Sequence, residues 1–129
     1  MAGSVISTWH SVMQQRDVAG LSALLADDSV FHSPVVHRPI EGKAGVLMYL
    51  TAAFQVFGDP SFRYVREVEN ARDAVLEFEL TLDGIAINGV DMIRWNDAGQ
   101  ITDFKVMIRP LKAINLIHQK MAAMLQAAR

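Results

Sequence analysis

The side chain best placed to do chemistry in this sequence is an aspartate in step with isoleucines. Ile85 to Trp95 reads IAINGVDMIRW and alternates like a strand. Side chains two residues apart share a strand face, so Ile85, Ile87, Asp91, Ile93 and Trp95 point the same way. A carboxyl on an apolar face loses hydration, which disfavours its charged form and raises its pKa. Near neutral pH such a group can act as a general acid or base. The same pattern also suits a carboxylate paired with an arginine, or one at the wet end of a strand. Arg94 and Arg109 are the arginines to weigh, and parity turns Arg94 to the opposite face.

Three histidines come next. His32 and His37 flank Ser33, and imidazole is the side chain suited to proton transfer at neutral pH. Strand parity gives Phe31 and Ser33 one face and His32 the other. His37 lies in the Pro34–Gly42 loop, from which it can reach inward, so Asp91 and His37 are the candidate catalytic residues. His10 follows Trp9 but lies about 100° from it around a helix of 3.6 residues per turn. Ser33 alone, without a partner base, cannot remove a proton from carbon. The four histidines show no ligand spacing and Gly42 to Gly45 starts a helix rather than a phosphate loop, so neither a metal nor a cofactor is expected. Cysteine is absent, which excludes disulfides, thiolate catalysis and cysteine metal sites.

The elements that must position these residues follow from periodicity. Val5, Ile6, Trp9, Val12 and Met13 recur at helical spacing, with Ser4 as a cap. Asp17 opens a second short helix carrying Leu21, Leu24 and Leu25, which Asp27-Asp28 is expected to end. Ser29 to Ser33 reads as a short strand broken by Pro34. A third helix runs from about Lys43 to Phe57, with Val46, Leu47, Leu50, Phe54 and Phe57 on its buried stripe, and Gly58-Asp59-Pro60 stops it. The period then becomes two. Strands are predicted at Phe62–Glu69, Ala74–Leu82, Ile85–Trp95 and Gln100–Arg109, with a tight hairpin at Asp83-Gly84 and a bulge at Asn88-Gly89. Pro110 suits the first turn of a last helix, striped by Leu111, Ile114, Ile117, Met121 and Leu125. Helices and an antiparallel, hairpin-connected sheet in this order predict an α+β fold with the helices on one face.

Totals bound the rest. The 129 residues suffice for one domain, expected to span 1–129, and 51% are hydrophobic against 20% charged. That balance fits an apolar cavity or an apolar surface buried between subunits. A net charge of −2 argues against a nucleic-acid or anionic-membrane partner. No apolar run approaches the roughly 18 residues of a membrane span, and no signal-peptide pattern is read, so the expectation is a cytoplasmic protein.

Three stretches, DVAGLSALLADDSVFHSPV, EGKAGVLMYL and NGVDMIRWNDAGQI, together with the order of elements, resemble the nuclear transport factor 2-like (NTF2-like) superfamily. The likeness is to its SnoaL-like and ketosteroid-isomerase-like branch. It covers roughly residues 5 to 110. The resemblance implies a cone-shaped α+β roll, a curved sheet around a long helix with an apolar pocket at its mouth, and commonly a homodimer through the outer sheet face. In ketosteroid isomerases a strand aspartic acid stays neutral and donates to the substrate oxygen. Counted back from Gly99, that position is Asp91. The second donor, a tyrosine in the relatives, falls on Trp9, whose indole can only donate. The catalytic base falls on Ser33, so the usual isomerase route lacks its base here.

The lining expected for the pocket is Trp9, Met13, Phe31, Ser33, Leu50, Phe54, Phe78, Leu80, Ile93, Trp95, Phe104, Val106 and Ile108 around Asp91. Such walls suit a small apolar molecule. Two readings stand. One is an isomerase, cyclase, dehydratase or hydrolase using Asp91 as acid or base. The other is a ligand-binding or dimeric interaction domain without turnover. The face carrying Val90, Met92, Asp103, Lys105, Met107 and Arg109 suits a dimer interface better than a catalytic wall.

Overall fold

The computed structural model describes residues 2–127, with side chains from residue 5 onward; the cap expected at Ser4 lies outside the described side chains. The elements in order are α1 (Ala2–Gln15), α2 (Val18–Leu24), β1 (Leu25–His32), β2 (Ile40–Glu41), α3 (Lys43–Val56), β3 (Arg63–Glu69), β4 (Asp73–Leu82), β5 (Ile85–Trp95), β6 (Ile101–Arg109) and α4 (Leu111–Ala127). The strands form one curved, open six-stranded sheet in the order β2-β1-β6-β5-β4-β3. The hairpins β3–β4, β4–β5 and β5–β6 are antiparallel, as expected from their short turns. The sheet as a whole is mixed, because β1 runs parallel to β6. A parallel neighbour needs a long crossover rather than a hairpin, and the chain from α3 to β5 supplies it.

Local chemistry explains most boundaries. The Asp17 carboxylate accepts from the Gly20 backbone N–H at 2.9 Å and caps α2. That helix ends at Leu24, earlier than expected. Asp27 and Asp28 do not stop it but lie exposed within β1, where the β1–β6 register shifts between Leu25 and Val30. The two-residue strand β2 inside the proline-rich loop has no sequence signal of its own. Asp83 and Gly84 both take positive φ, 51° and 77°, which matches the twist of the hairpin they close.

The bulge expected at Asn88-Gly89 is absent. The β4–β5 register runs without a break from Asp73↔Arg94 to Leu82↔Ile85. Gly89 serves a different purpose. A Cβ there would lie 2.5 Å from Cζ of Phe78 and 2.7 Å from the Met107 carbonyl, so the missing side chain makes room for the Phe78 ring. The sheet is irregular elsewhere, notably between Tyr64 and Arg66 of β3, opposite β4.

The core lies inside the curve of the sheet, under α1, α3 and α4. Leu21, Leu25, Leu76, Phe78, Ile93, Ile101, Phe104 and Ile117 are essentially inaccessible. Side chains alternate along β5, and Ile87, Asp91, Ile93 and Trp95 are buried while Arg94 is exposed. None of the described helices is long and apolar enough to cross a membrane.

Candidate active site

A cavity of about 200 Å³ opens between the concave sheet face and helices α1, α3 and α4. Trp9 and Met13 of α1 form one wall, and Leu50, Ala53 and Phe54 of α3 another. Phe31, Phe78, Phe104 and Val106 rise from the sheet, Ser33 to Val36 form the loop wall, and Ile117, His118, Met121, Ala122 and Leu125 of α4 close the top. Asp91 is the carboxylate in this lining.

Asp91 is 7% exposed. It stands on the central strand β5, opposite Leu76 of β4 and Val106 of β6. Burial pushes its pKa up to about 7, partly offset by a hydrogen bond from Tyr64 that favours the charged form. The Tyr64 hydroxyl donates to Asp91 Oδ2 at 2.6 Å, and Trp9 Nε1 donates to the Tyr64 oxygen at 3.0 Å. Burial first, and the nearby Asp91 charge second, hold the Tyr64 phenol well above its ordinary pKa, so it remains a donor.

This chain has a fixed polarity. An indole N–H can donate but never accept. Trp9 therefore occupies a lone pair of Tyr64, and the phenolic hydrogen goes to Asp91 Oδ2 rather than to Met13 Sδ, a weaker acceptor at 3.4 Å. Oδ2 is thereby held as an acceptor, and the proton of neutral Asp91 belongs on Oδ1. Among the described residues Oδ1 has no hydrogen-bond partner. It is also not among the closed-off polar atoms, which are Ser29 Oγ and Thr51 Oγ1. Neutral Asp91 thus offers an O–H to whatever enters the cavity.

Other residues picked out by sequence fall differently. The Asp91–His37 and Asp91–arginine pairs do not form. His37 is exposed and outside the lining, because the loop turns inward through Ser33, Pro34, Val35 and Val36 instead. Arg94 is exposed and pairs with Asp73 at 2.8 Å. Trp9 faces the cavity, but its N–H is taken up by Tyr64. Ser33 Oγ accepts from the backbone N–H groups of Val35 and Val36 at 3.1 and 3.4 Å, which ties it to its own turn. Leu80, Ile93 and Trp95 are buried beyond the cavity, and Trp95 Nε1 donates to the Ala71 carbonyl. Ile108 is partly buried against the core and also outside the lining. His10 and His32 are paired with Glu67 and Asp103, at 2.7 and 2.8 Å.

Several residues at the site escaped the sequence reading, among them Tyr49, Tyr64 and His118. Tyr64 was hidden by the irregularity at Val65. Tyr64 opposes Phe78 and Glu67 opposes Leu76, so both face inward although simple alternation separates them. His118 adjoins Ile117 and shares a helix face with Met121, Ala122 and Leu125. Its spacing to Met121 and Leu125 was the available signal.

The SnoaL-like domain family matches residues 6–104. Among solved structures, a steroid delta-isomerase from Pseudomonas aeruginosa is 36% identical, with a TM-score of 0.92 over 98% of this chain and 93% of that one. An uncharacterised protein with a cystatin-like fold from Silicibacter pomeroyi is 33% identical, with a TM-score of 0.84 over 92% and 83%. An NTF2-like protein of unknown function from Mesorhizobium loti, 19% identical with a TM-score of 0.73 over 84% and 91%, bears on the fold alone. A search of curated proteins finds no match.

Proposed function

The chain belongs to the SnoaL-like domain family, and on that footing we propose that it is an isomerase-type enzyme for a small apolar carbonyl compound, with Asp91 as the neutral proton donor to the substrate oxygen. The observation that carries this is the hydrogen-bond chain from Trp9 through Tyr64 to Asp91. It engages one carboxyl oxygen from behind and leaves the other for the cavity. A carboxylic acid with a pKa of about 7, walled by phenylalanines and aliphatic side chains, meets a carbonyl oxygen in its protonated form as a donor. As negative charge builds on that oxygen the hydrogen bond strengthens, so it stabilises the transition state more than the ground state.

The likeness to a steroid delta-isomerase supports the reaction class. Size argues for a smaller substrate. A cavity of about 150 Å³ suffices for benzene, and this one, at about 200 Å³, suits a single ring or a short branched chain.

The test is calorimetric titration with acetophenone, an apolar ketone that accepts hydrogen bonds but cannot donate them. Affinity should be level below pH 7 and fall about tenfold per pH unit above it, because the binding form of Asp91 must recover its proton. In Asp91→Asn the affinity should lose that slope. A wild-type affinity that stays level from pH 5 to pH 9 would contradict the donor role.

A second reading, ligand binding without turnover, is favoured by Ser33. The residue at the relatives' base position is a hydroxyl already engaged by two backbone N–H groups. We further propose a homodimer through the outer sheet face. There Val68, Val75 and Met92 form one row across three strands, and Val90 and Met107 pair in the next. Val68, Val75 and Met107 are exposed, at 62%, 37% and 50%.

A further inference from the structure

We propose that His118, on the helix closing the cavity, is the base that removes and returns a carbon-bound proton while Asp91 holds the carbonyl oxygen. This rests on the reading of Asp91 given above and supplies what that reading lacks.

Among the described residues, three titratable side chains line the cavity: Asp91, Tyr49 and His118. Asp91 is committed to the oxygen end. A phenol is a poor base unless it first gives up its own proton, whereas it readily donates. A neutral imidazole carries a basic lone pair as it stands. Of the four histidines, His10 and His32 are engaged by Glu67 and Asp103, and His37 lies outside the lining. His118 has no hydrogen bond or ion pair among the described residues, so its ring is available to a ligand.

One side of α4 seats the helix on the fold. Ala113 and Ile117 are buried at 0% and 1%, and Lys120 pairs with Asp83 of the β4–β5 hairpin at 3.1 Å. On an adjoining face, His118, Met121, Ala122 and Leu125 fall at i, i+3, i+4 and i+7, and all four line the cavity. The imidazole therefore stands at the lip, with Asp91 on the sheet below. Both line the same cavity, so a ligand filling its roughly 200 Å³ would meet both.

A neutral imidazole nitrogen of His118 takes a proton from the carbon next to the carbonyl. The C–H electron pair becomes the enol double bond. The carbonyl π pair moves to oxygen, which takes or shares the Asp91 proton. The imidazolium then returns its proton to the same carbon or, in an unsaturated ketone, to the far end of the double bond, and Asp91 recovers its own.

Acetophenone serves as the probe again, because its methyl protons exchange with deuterium by this step. Proton NMR in D₂O reads exchange and calorimetry reads binding. Wild-type protein should accelerate exchange over buffer. His118→Ala should lose about 100-fold of that acceleration with unchanged affinity, and added imidazole should restore part of it. His118 is exposed, so the variant is expected to fold. Full exchange in His118→Ala, or a wild type that binds acetophenone without exchanging it, overturns the assignment to His118 and leaves the Asp91 reading standing. Affinity lost in parallel with exchange, or no rescue by imidazole, makes His118 part of the wall and also overturns it. A wild type that neither binds nor exchanges acetophenone overturns both.

Discussion

At the scale of single residues, the stability of this protein should carry the signature of Asp91. Its pKa rises from 3.8 in the unfolded chain to about 7 in the fold. Between those values the native state holds a proton that the unfolded chain has released. This contribution is therefore full below about pH 4 and is lost as pH rises through 7, a change of about 4 kcal/mol. Asp59 and Glu77 run the other way, because hydrogen bonds from Ser61 and Asn88 lower their pKa values and their stabilisation fades as pH falls. The difference between wild type and Asp91→Asn isolates Asp91. Urea melts should show the variant gaining on wild type from pH 4 to pH 7 and holding its lead above that. Tyr64→Phe removes the donor that favours the charged form, so the Asp91 pKa should climb further. It also leaves Trp9 N–H and Asp91 Oδ2 without their partner, at about 1–3 kcal/mol of stability. Asp91 could be found from sequence because nothing interrupts the alternation of β5. Tyr64 could not, because one extra residue at Val65 resets the parity of β3 and leaves no trace in composition.

At the scale of elements, helix and strand order was readable from period and punctuation, while pairing was not. Hairpin neighbours announce themselves through Asp83-Gly84 and Asn96 to Gly99. The parallel partnership of β1 with β6 joins residues some seventy positions apart, such as Phe31 and Phe104, and no local signal encodes it. The β4–β5 pair shows how a correct observation can carry the wrong consequence. Glycine in a strand marks either a bulge or a close approach, and here it is the approach of the Phe78 ring. Gly89→Ala should destabilise the fold by about 1–3 kcal/mol, since the Met107 carbonyl at 2.7 Å belongs to the neighbouring strand and cannot step aside. Urea unfolding with an unchanged m-value would register this. A neutral outcome would mean that Phe78 repacks freely.

At the scale of the whole molecule, the sheet separates two kinds of surface. Its concave face carries the cavity, and its convex face mixes valines and methionines with charged pairs such as Arg66–Glu77 and Arg94–Asp73. The hydrophobic content of the sequence left open whether the surplus lines a cavity or an interface, and the structure accommodates both. Light scattering should give twice the chain mass for wild type and the single mass for Val75→Glu, with the pH dependence of acetophenone binding intact. A monomeric wild type would remove the dimer while leaving the site untouched.

The most direct measurement is a carbon-13 titration of the aspartate carboxyl resonances, with Asp91 assigned by its absence from Asp91→Asn. Its signal should titrate near pH 7, far above the ordinary carboxyl value of 3.8, and move higher in Tyr64→Phe. A resonance that finishes its shift near the ordinary value of 3.8 would show a hydrated carboxylate, and the neutral donor on the apolar cavity would not exist.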